Sequence, residues 1–213
     1  MNMILLGAPG TGKGTQAEKI SEKLGIPTIS TGAMLRAAIR EGTSFGKQAK
    51  AFIDKGELVP DDVMIGLIQD RLQEPDCKDG FILDGFPRTS AQAEALDRFG
   101  IRIDMALSFE VPDAVIIKRL SGRRECPKCG ATYHVDHKPS SKGDACEQCG
   151  EALIIRDDDQ PETIQNRLKV YYEQSAPLKT FYQGKGILRQ VNADAALDAV
   201  TEEVYSVIGA KSE

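Results

Sequence analysis

Short apolar runs alternate with helix-forming patterns along most of the chain. Runs that suit buried parallel strands lie at 1–6, 28–31, 81–83, 105–111 and 187–191. The segments between or after these runs have apolar residues at helical spacing or a proline that can start a helix. These segments are 13–24, 33–41, 44–55, 60–73, 90–98, 112–120, 161–182 and 195–208. Strands that alternate with helices predict βαβ units. We therefore expect an α/β fold, with a parallel sheet of about five strands and flanking helices.

The pattern changes in residues 122–159. This stretch contains both histidines and all but one of the cysteines, but few apolar runs. The chain has 213 residues, and a domain usually has roughly 100–200. The sequence therefore predicts one domain with a small insertion, or two small domains.

Composition narrows the classes of function. Hydrophobic residues make up 41% and charged residues 28% of the chain, which is typical of a globular protein. The net charge of −5 argues against broad binding to nucleic acid or to an acidic membrane. No apolar run approaches the roughly 18 residues of a membrane helix, and the N-terminus does not resemble a signal peptide. We expect a cytoplasmic protein whose cysteines stay reduced.

The turn after the first predicted strand has the composition of a phosphate-binding loop. Residues 7–15 read Gly-Ala-Pro-Gly-Thr-Gly-Lys-Gly-Thr and lead into a predicted helix. Glycines let backbone N–H groups point at an anion, the helix N-terminus adds partial positive charge, and Lys13 can reach terminal phosphates. The strict motif has Ser or Thr directly after the lysine, whereas Gly14 comes before Thr15 here. The alternative is a glycine-rich turn without a ligand, but the context favours a nucleoside triphosphate with Mg²⁺.

Asp84 follows the strand predicted at 81–83, at the sheet edge where α/β proteins bind ligands. Its carboxylate could hold Mg²⁺, or it could only cap the next turn. Arg88 comes four residues later and could clamp a phosphate. Other candidate arginines, each of which could instead be solvated, are Arg36, Arg119, Arg123, Arg124, Arg156 and Arg167.

Two cysteine pairs in the insertion have the spacing of a zinc ribbon. Cys126, Cys129, Cys146 and Cys149 form C-x₂-C-x₁₆-C-x₂-C, and a glycine follows each pair. Four thiolates complete a tetrahedral Zn²⁺ site, although two disulfides or a reduced site without metal are alternatives. We therefore interpret His134 and His137 as surface residues, and Cys77 as an unpaired thiol without a role.

Four motifs, taken together, identify a family. They are the loop at 7–15, Ser30-Thr31-Gly32, residues 84–89 with Gln92, and Arg156-Asp157-Asp158-Asp159. In order and spacing they are similar to the adenylate kinase family, in its bacterial long-lid form with a four-cysteine zinc-binding lid. The resemblance implies a P-loop nucleoside monophosphate kinase fold, and a monomer that catalyses MgATP + AMP ⇌ MgADP + ADP. It also implies a core at 1–29, 60–121 and 161–213, a mobile AMP-binding part at 30–59, and a mobile zinc-ribbon lid at 122–160.

The resemblance also assigns roles to residues. Those expected to bind ATP are Gly10, Thr11, Gly12, Lys13, Gly14, Thr15, Arg123, Thr132, Tyr133 and Ala195. Those expected to bind AMP are Thr31, Arg36, Glu57, Leu58, Val59, Gly85, Phe86, Pro87, Arg88, Gln92, Arg156 and Arg167. Those expected to act in catalysis are Lys13, Asp84, Arg88, Arg123, Arg156, Asp158, Asp159 and Arg167. The implied cofactors are Mg²⁺ with ATP and a structural Zn²⁺.

One position departs from the family pattern, and two other functions stay open. Ala33 stands where the family usually has Asp near the metal, so we expect slightly weaker Mg²⁺ binding without loss of activity. Another nucleoside monophosphate kinase is the first alternative, although Gln92 and the cysteine-bearing lid favour AMP by resemblance. A nucleic-acid-binding zinc ribbon is the second, and the acidic residues of the insertion argue against it.

Overall fold

The computed structural model describes residues 1–210 and contains the parallel sheet that the sequence predicts. Its five strands are β1 (Asn2–Leu6), β2 (Thr28–Ser30), β3 (Phe81–Asp84), β4 (Met105–Glu110) and β7 (Leu188–Asn192). They lie in the order β2-β3-β1-β4-β7, and every neighbouring pair is parallel. The carboxyl ends of all five strands therefore meet at one edge of the sheet.

Helices cover both faces of this sheet, which explains why β1 is apolar at successive positions. Met3 and Leu5 pack into the core beneath α1 (Lys13–Leu24) and α9 (Leu197–Ile208). Ile4 and Leu6 pack into the opposite core with α4 (Asp61–Leu72), α5 (Ser90–Arg98) and α8 (Leu178–Gly184). The α/β fold class and the five-stranded sheet are confirmed.

The region predicted as a single helix at 161–182 is divided into three segments. Helix α7 spans Pro161–Val170, a π-helical turn spans Tyr171–Ser175, and α8 follows. The N–H of Ala176 donates to the carbonyl of Tyr171 at 2.8 Å. The next residue is Pro177, which has no N–H to continue the α-helical ladder. The last helix also begins later than expected, at Leu197.

Two smaller units extend from the sheet. The first contains α2 (Thr31–Arg40) and α3 (Ser44–Ile53), which touch at Gly46, where a Cβ would lie 2.1 Å from the carbonyl oxygen of Ala38. The second follows α6 (Asp113–Gly122) and contains an antiparallel pair, β5 (Arg123–Glu125) and β6 (Thr132–His134). A separate small core of Cys126, Tyr133 and Cys146 supports it.

Within residues 1–210, none of the helices combines the length and the apolar character that crossing a membrane would require.

Candidate active site and metal centre

The glycine-rich loop lies between β1 and α1, at the carboxyl edge of the sheet. Gly10 has a φ of 83°, and a Cβ there would lie 2.8 Å from Leu120 Cγ, so backbone conformation and packing both require glycine. Gly12 stands at the N-cap of α1 and has no side chain with which to cap it. The first amides of a helix have no intrahelical partner, and here no N-cap side chain accepts from them, so together with the helix dipole they can bind an anion.

Lys13 is folded back into this loop. Its Nζ donates to the carbonyl oxygens of Gly7 and Ala8 at 2.7 and 2.8 Å. Burial lowers the pKa of this amine to about 8, although the nearby carboxylate of Asp84 opposes the shift. The loop thus contains a cation whose partners are neutral carbonyls and whose charge is only partly balanced.

Asp84 faces the loop from the end of β3. Its Oδ2 accepts a hydrogen bond from Ser30 Oγ at 3.2 Å. A Cβ built on Gly14 would lie 3.8 Å from the same oxygen, so a side chain there would enter the space between the loop and the carboxylate. Gly14 therefore keeps side chains out of this space, which gives a physical reason for its departure from the strict motif.

Two aspartates that follow Arg156 hold two arginines. Arg123 donates from Nε and Nη2 to the two carboxylate oxygens of Asp159, at 2.7 and 2.5 Å. Arg167 Nη1 lies 2.9 Å from Asp159 Oδ1 and 3.1 Å from Asp158 Oδ2. Burial alone would raise the pKa of Asp158, but the charges of Arg167 and Arg123 lower it. Such charge-assisted contacts fix the directions of both guanidinium groups.

Three further arginines belong to the same cluster. Glu125 Oε2 forms an ion pair with Arg156 Nε and lies 3.5 Å from Arg36 Nε. Arg88 Nε donates to the carbonyl oxygen of Gly85 at 2.8 Å. Burial, and then the charge of Arg167, lower the pKa of Arg88, while burial and the charge of Arg123 lower that of Arg156 to about 10.

The cluster carries an excess of positive charge. Its cationic members are Lys13, Arg36, Arg88, Arg123, Arg156 and Arg167, and its carboxylates are Asp84, Glu125, Asp158 and Asp159. The formal charge of these groups is therefore positive by two, since six cations face four anions. Fixed guanidinium groups in excess at one edge of a sheet are suited to phosphate groups.

A cavity adjoins the cluster. It is lined by Thr31, Leu35, Leu58, Val59, Met64, Gly85, Arg88 and Gln92. Gln92 is held at both ends, because Nε2 donates to Asp61 Oδ1 at 2.7 Å and Oε1 accepts from the backbone N–H of Arg88 at 2.7 Å. The cavity thus has apolar side chains, the fixed amide of Gln92 and the guanidinium of Arg88. These groups suit a ligand with a flat ring that has polar atoms at its edge and is linked to an anion.

On the other side of the glycine-rich loop, Arg119 connects it to the turn after β7. Its Nη2 donates to the carbonyl oxygen of Ala193 at 2.9 Å, and its Nη1 lies 3.5 Å from that of Thr11. Ala195 is exposed in the same turn. The planar guanidinium of Arg119 therefore borders the surface beside Ala195.

The four cysteines of the insertion come together. Their sulfur atoms all lie within 4.8 Å of one another, and the closest separations are 3.4 Å, 3.5 Å and 3.7 Å. None of the four is in a disulfide. Zn–S bonds of about 2.3 Å in a tetrahedron place sulfurs about 3.8 Å apart. The donor set and its spacing therefore fit a closed metal site.

Tyr133 supports this sulfur cluster from beneath. Its hydroxyl accepts from the N–H of Glu147 at 2.9 Å and lies 3.4 Å from Cys146 Sγ. The hydroxyl contact lowers the pKa of Cys146 to about 6, which favours the thiolate form that binds metal. Tyr133 is thus placed to orient a metal ligand.

Comparison with known proteins decides the family. The family described as adenylate kinase matches residues 5–187. An adenylate kinase of Lachnospira eligens is 52% identical over 213 residues, which cover 98% of this chain and all of the relative. An adenylate kinase of Oceanobacillus iheyensis is 51% identical, and the match covers 99% of this chain and 100% of the relative. An adenylate kinase of Archaeoglobus fulgidus is 50% identical, and the match covers 98% of each chain. The chain belongs to the adenylate kinase family.

Most residues that the adenylate kinase resemblance singles out lie at the edge of the sheet, but some have their side chains elsewhere. Phe86 is fully buried in the main core, and Thr11 is 2% exposed with its hydroxyl donating to the carbonyl of Ala8. Tyr133 lies in the core of the insertion, and Glu57 is exposed. Contacts of these residues with a nucleotide would therefore use backbone atoms or require a rearrangement.

Four further residues that the sequence singles out lie outside the predicted nucleotide sites. His137 is exposed, and His134 is half-buried with its ring centroid 4.4 Å from that of His137. Cys77 is buried, and its Sγ lies 3.0 Å from Arg71 Nη1. Ala33 is exposed in the first turn of α2, and its expected effect on Mg²⁺ binding stays a prediction.

Sequence reasoning missed Asp61, Glu125 and the anchoring role of Arg119. Asp61 follows a proline, and the pattern there indicates only the start of a helix. Glu125 precedes Cys126, and one charged residue next to a cysteine pair carries no signal of burial. Only the fold shows that Asp61 faces Gln92 and that Glu125 faces two arginines.

Proposed function

We propose that this chain transfers a phosphoryl group reversibly between MgATP and AMP, giving two ADP. One observation supports this most directly: the glycine-rich loop with Lys13 and the arginine cluster with its cavity share one edge of the sheet. Phosphoryl transfer needs positioning and charge stabilisation more than covalent chemistry. The AMP phosphate is already anionic at neutral pH, so no general base is required.

We assign the glycine-rich loop to the ATP phosphates and the cavity to AMP. On the ATP side are residues 10–15, Arg123, the strand around Thr132 and Tyr133, and Ala195. On the AMP side are Thr31, Arg36, residues 57–59, residues 85–88, Gln92, Arg156 and Arg167. Asp84 would hold Mg²⁺, the ion with which adenylate kinases use ATP. Lys13, Arg88 and the arginines held by Asp158, Asp159 and Glu125 would stabilise charge on the transferring group.

We also propose that residues 30–59 close over AMP and residues 122–160 over ATP, while 1–29, 60–121 and 161–210 form the core; the expected core ran to 213, and residues 211–213 lie outside those that the structure describes. Closure would exclude water, so that the phosphoryl group reaches AMP and is not lost to hydrolysis. All residues assigned to both nucleotides come from one chain, which favours action as a monomer.

The experiment that tests the function is a steady-state assay with ATP as donor and AMP, CMP, UMP or GMP as acceptor. AMP should give the highest kcat/KM. A preference for a pyrimidine acceptor would assign the chain to another nucleoside monophosphate kinase activity. Salt-sensitive binding to labelled nucleic acid, without phosphoryl transfer, would favour the zinc-ribbon alternative.

We propose zinc as the ion of the cysteine cluster, in a structural role. Four sulfur ligands leave no coordination position for water or substrate, and the insertion has a very small core of its own.

One equivalent of zinc should co-purify. Chelation, or Cys129→Ser with Cys146→Ser, should lower the unfolding midpoint while much activity persists at low temperature. Tyr133→Phe should weaken zinc binding about 10-fold or more without displacing a ligand. Absence of metal by elemental analysis, with four titratable thiols in the folded protein, would contradict this assignment.

ATP should bind less tightly as the pH rises above about 8. Without ligand the pKa of Lys13 is about 8, so the amine is charged below that pH and neutral above it. Phosphate oxygens of bound ATP would raise the pKa of Lys13. The affinity for ATP should therefore be greatest below about pH 8 and should fall as the pH rises above that value. Calorimetric titration near pH 8.5 in buffers of different ionisation enthalpy should show uptake of up to about one proton. Proton uptake that persists in Lys13→Met would assign it to another group.

A further inference from the structure

Glu125 is a buried carboxylate at the base of the insertion. It ends β5, and its backbone is fixed by two hydrogen bonds with Ile154, one from each N–H to the other's carbonyl oxygen at 2.9 Å. Its side chain is only 7% exposed. A charged side chain at such depth needs partners of opposite charge.

The partners of Glu125 come from two different parts of the chain. Oε2 pairs with Nε of Arg156, which belongs to the insertion, and lies 3.5 Å from Nε of Arg36. Arg36 is on α2, in the part of the chain that we assign to AMP. A single carboxylate oxygen therefore joins the two units that extend from the sheet.

This arrangement differs from that of Asp158 and Asp159, which also hold arginines. Asp158 and Asp159 bind Arg123 and Arg167 beside the core, and Arg123 is gripped through two donors. Glu125 contacts both of its arginines through Nε. Among residues 1–210, no acceptor is found for the terminal Nη groups of Arg36 and Arg156.

The geometry of the guanidinium group gives these contacts a consequence. Each group is planar, so an ion pair at Nε limits the directions that the Nη groups of the same plane can take. Two guanidinium groups also repel each other, and the carboxylate between them offsets that repulsion. The Nη atoms of Arg36 and Arg156 are therefore N–H donors on two guanidinium groups that share one carboxylate oxygen, and a tetrahedral anion has several oxygens that could accept from them.

We propose that Glu125 is a positioning residue for the phosphate of AMP, acting through Arg36 and Arg156. This inference rests on the proposed function, since it takes AMP as the ligand of the cavity. Glu125 does not touch the nucleotide. It holds one arginine from each mobile part beside the same carboxylate oxygen, and so makes AMP binding depend on closure of the lid.

The test is Glu125→Gln, which keeps the size of the side chain and removes its charge. KM for AMP should rise about 10-fold, whereas KM for ATP should stay within about twofold. Zinc content and the unfolding midpoint should match the parent. The matched control is Glu151→Gln, which makes the same change at an exposed position of the same insertion and should leave all four quantities unchanged.

A binding measurement separates positioning from a structural role. Glu125→Gln should weaken calorimetric binding of AMP about 10-fold but leave binding of adenosine, which has no phosphate, unchanged. Glu125→Asp, which keeps the charge on a shorter stem, should recover part of the AMP affinity.

Several results would overturn the proposal. An unchanged KM for AMP would show that Glu125 does not position the arginines. A lower KM would make it a competitor of the phosphate. If Glu125→Gln lost affinity for AMP and adenosine equally, Glu125 would be a structural residue of the lid. The same would follow if Glu125→Gln and Glu125→Asp both lost zinc or failed to fold. Failure of the proposed function would look different, because the parent itself would not transfer phosphoryl groups to AMP.

Discussion

Lys13→Ala should lower turnover about 10³-fold while the protein remains folded. The amine is the cation that belongs to the glycine-rich loop itself, and it must leave the carbonyl oxygens of Gly7 and Ala8 to reach a phosphate. Its charge would follow the phosphoryl group as it moves from donor to acceptor. A 10³-fold loss corresponds to about 4 kcal/mol of transition-state stabilisation.

The unfolding midpoint of Lys13→Ala should not fall, because burial disfavours the charged amine in the ligand-free protein. Lys118→Ala, an exposed lysine on α6, is the matched control and should keep the parent turnover. A Lys13→Ala variant within about threefold of the parent, or about 0.65 kcal/mol, would show that the assigned role is wrong.

Arg88→Lys should lower turnover by about 10² or more. Lysine keeps the charge, but its single ammonium nitrogen cannot reproduce the planar fork in which Nε donates to the carbonyl of Gly85 and the two Nη groups remain for a phosphate. Arg88 also lines the cavity that we assign to AMP, so it would face the acceptor. The loss should appear in kcat, with a smaller change in KM for AMP.

Stability should change little in Arg88→Lys, with the unfolding midpoint within about 4 °C of the parent. Arg98→Lys makes the same substitution at an exposed position of α5 and should leave kcat unchanged. If Arg88→Lys lost stability but retained turnover, Arg88 would be a structural residue that supports the turn after β3.

The sheet was predictable because its signals are local and agree with one another. An apolar run that stops at Gly7, and a second that stops at Asp84, each fit a parallel strand covered on both faces. The cysteine spacing likewise predicted the cluster of four sulfurs. In each case a few neighbouring residues carry the whole pattern.

The rest depends on contacts between distant segments. The π-helical turn at Tyr171–Ser175 lies inside a pattern that reads as continuous helix. Glu125 and Arg36 are far apart along the chain, and so are Asp61 and Gln92, and neither member of a pair identifies the other. Residue type gives the capacity for an ion pair, but only the packing of the elements decides which pairs form.

The excess of cations at the sheet edge affects the stability of this protein as well as its activity. Six positive groups held beside four negative ones repel one another in the ligand-free state, and part of the folding free energy is spent in opposing that repulsion. A bound nucleotide relieves it, and binding stabilises the folded chain further by mass action. The nucleotide pool of a cell would therefore act as a folding ligand, and the chain would be most vulnerable to heat and proteases when that pool is depleted.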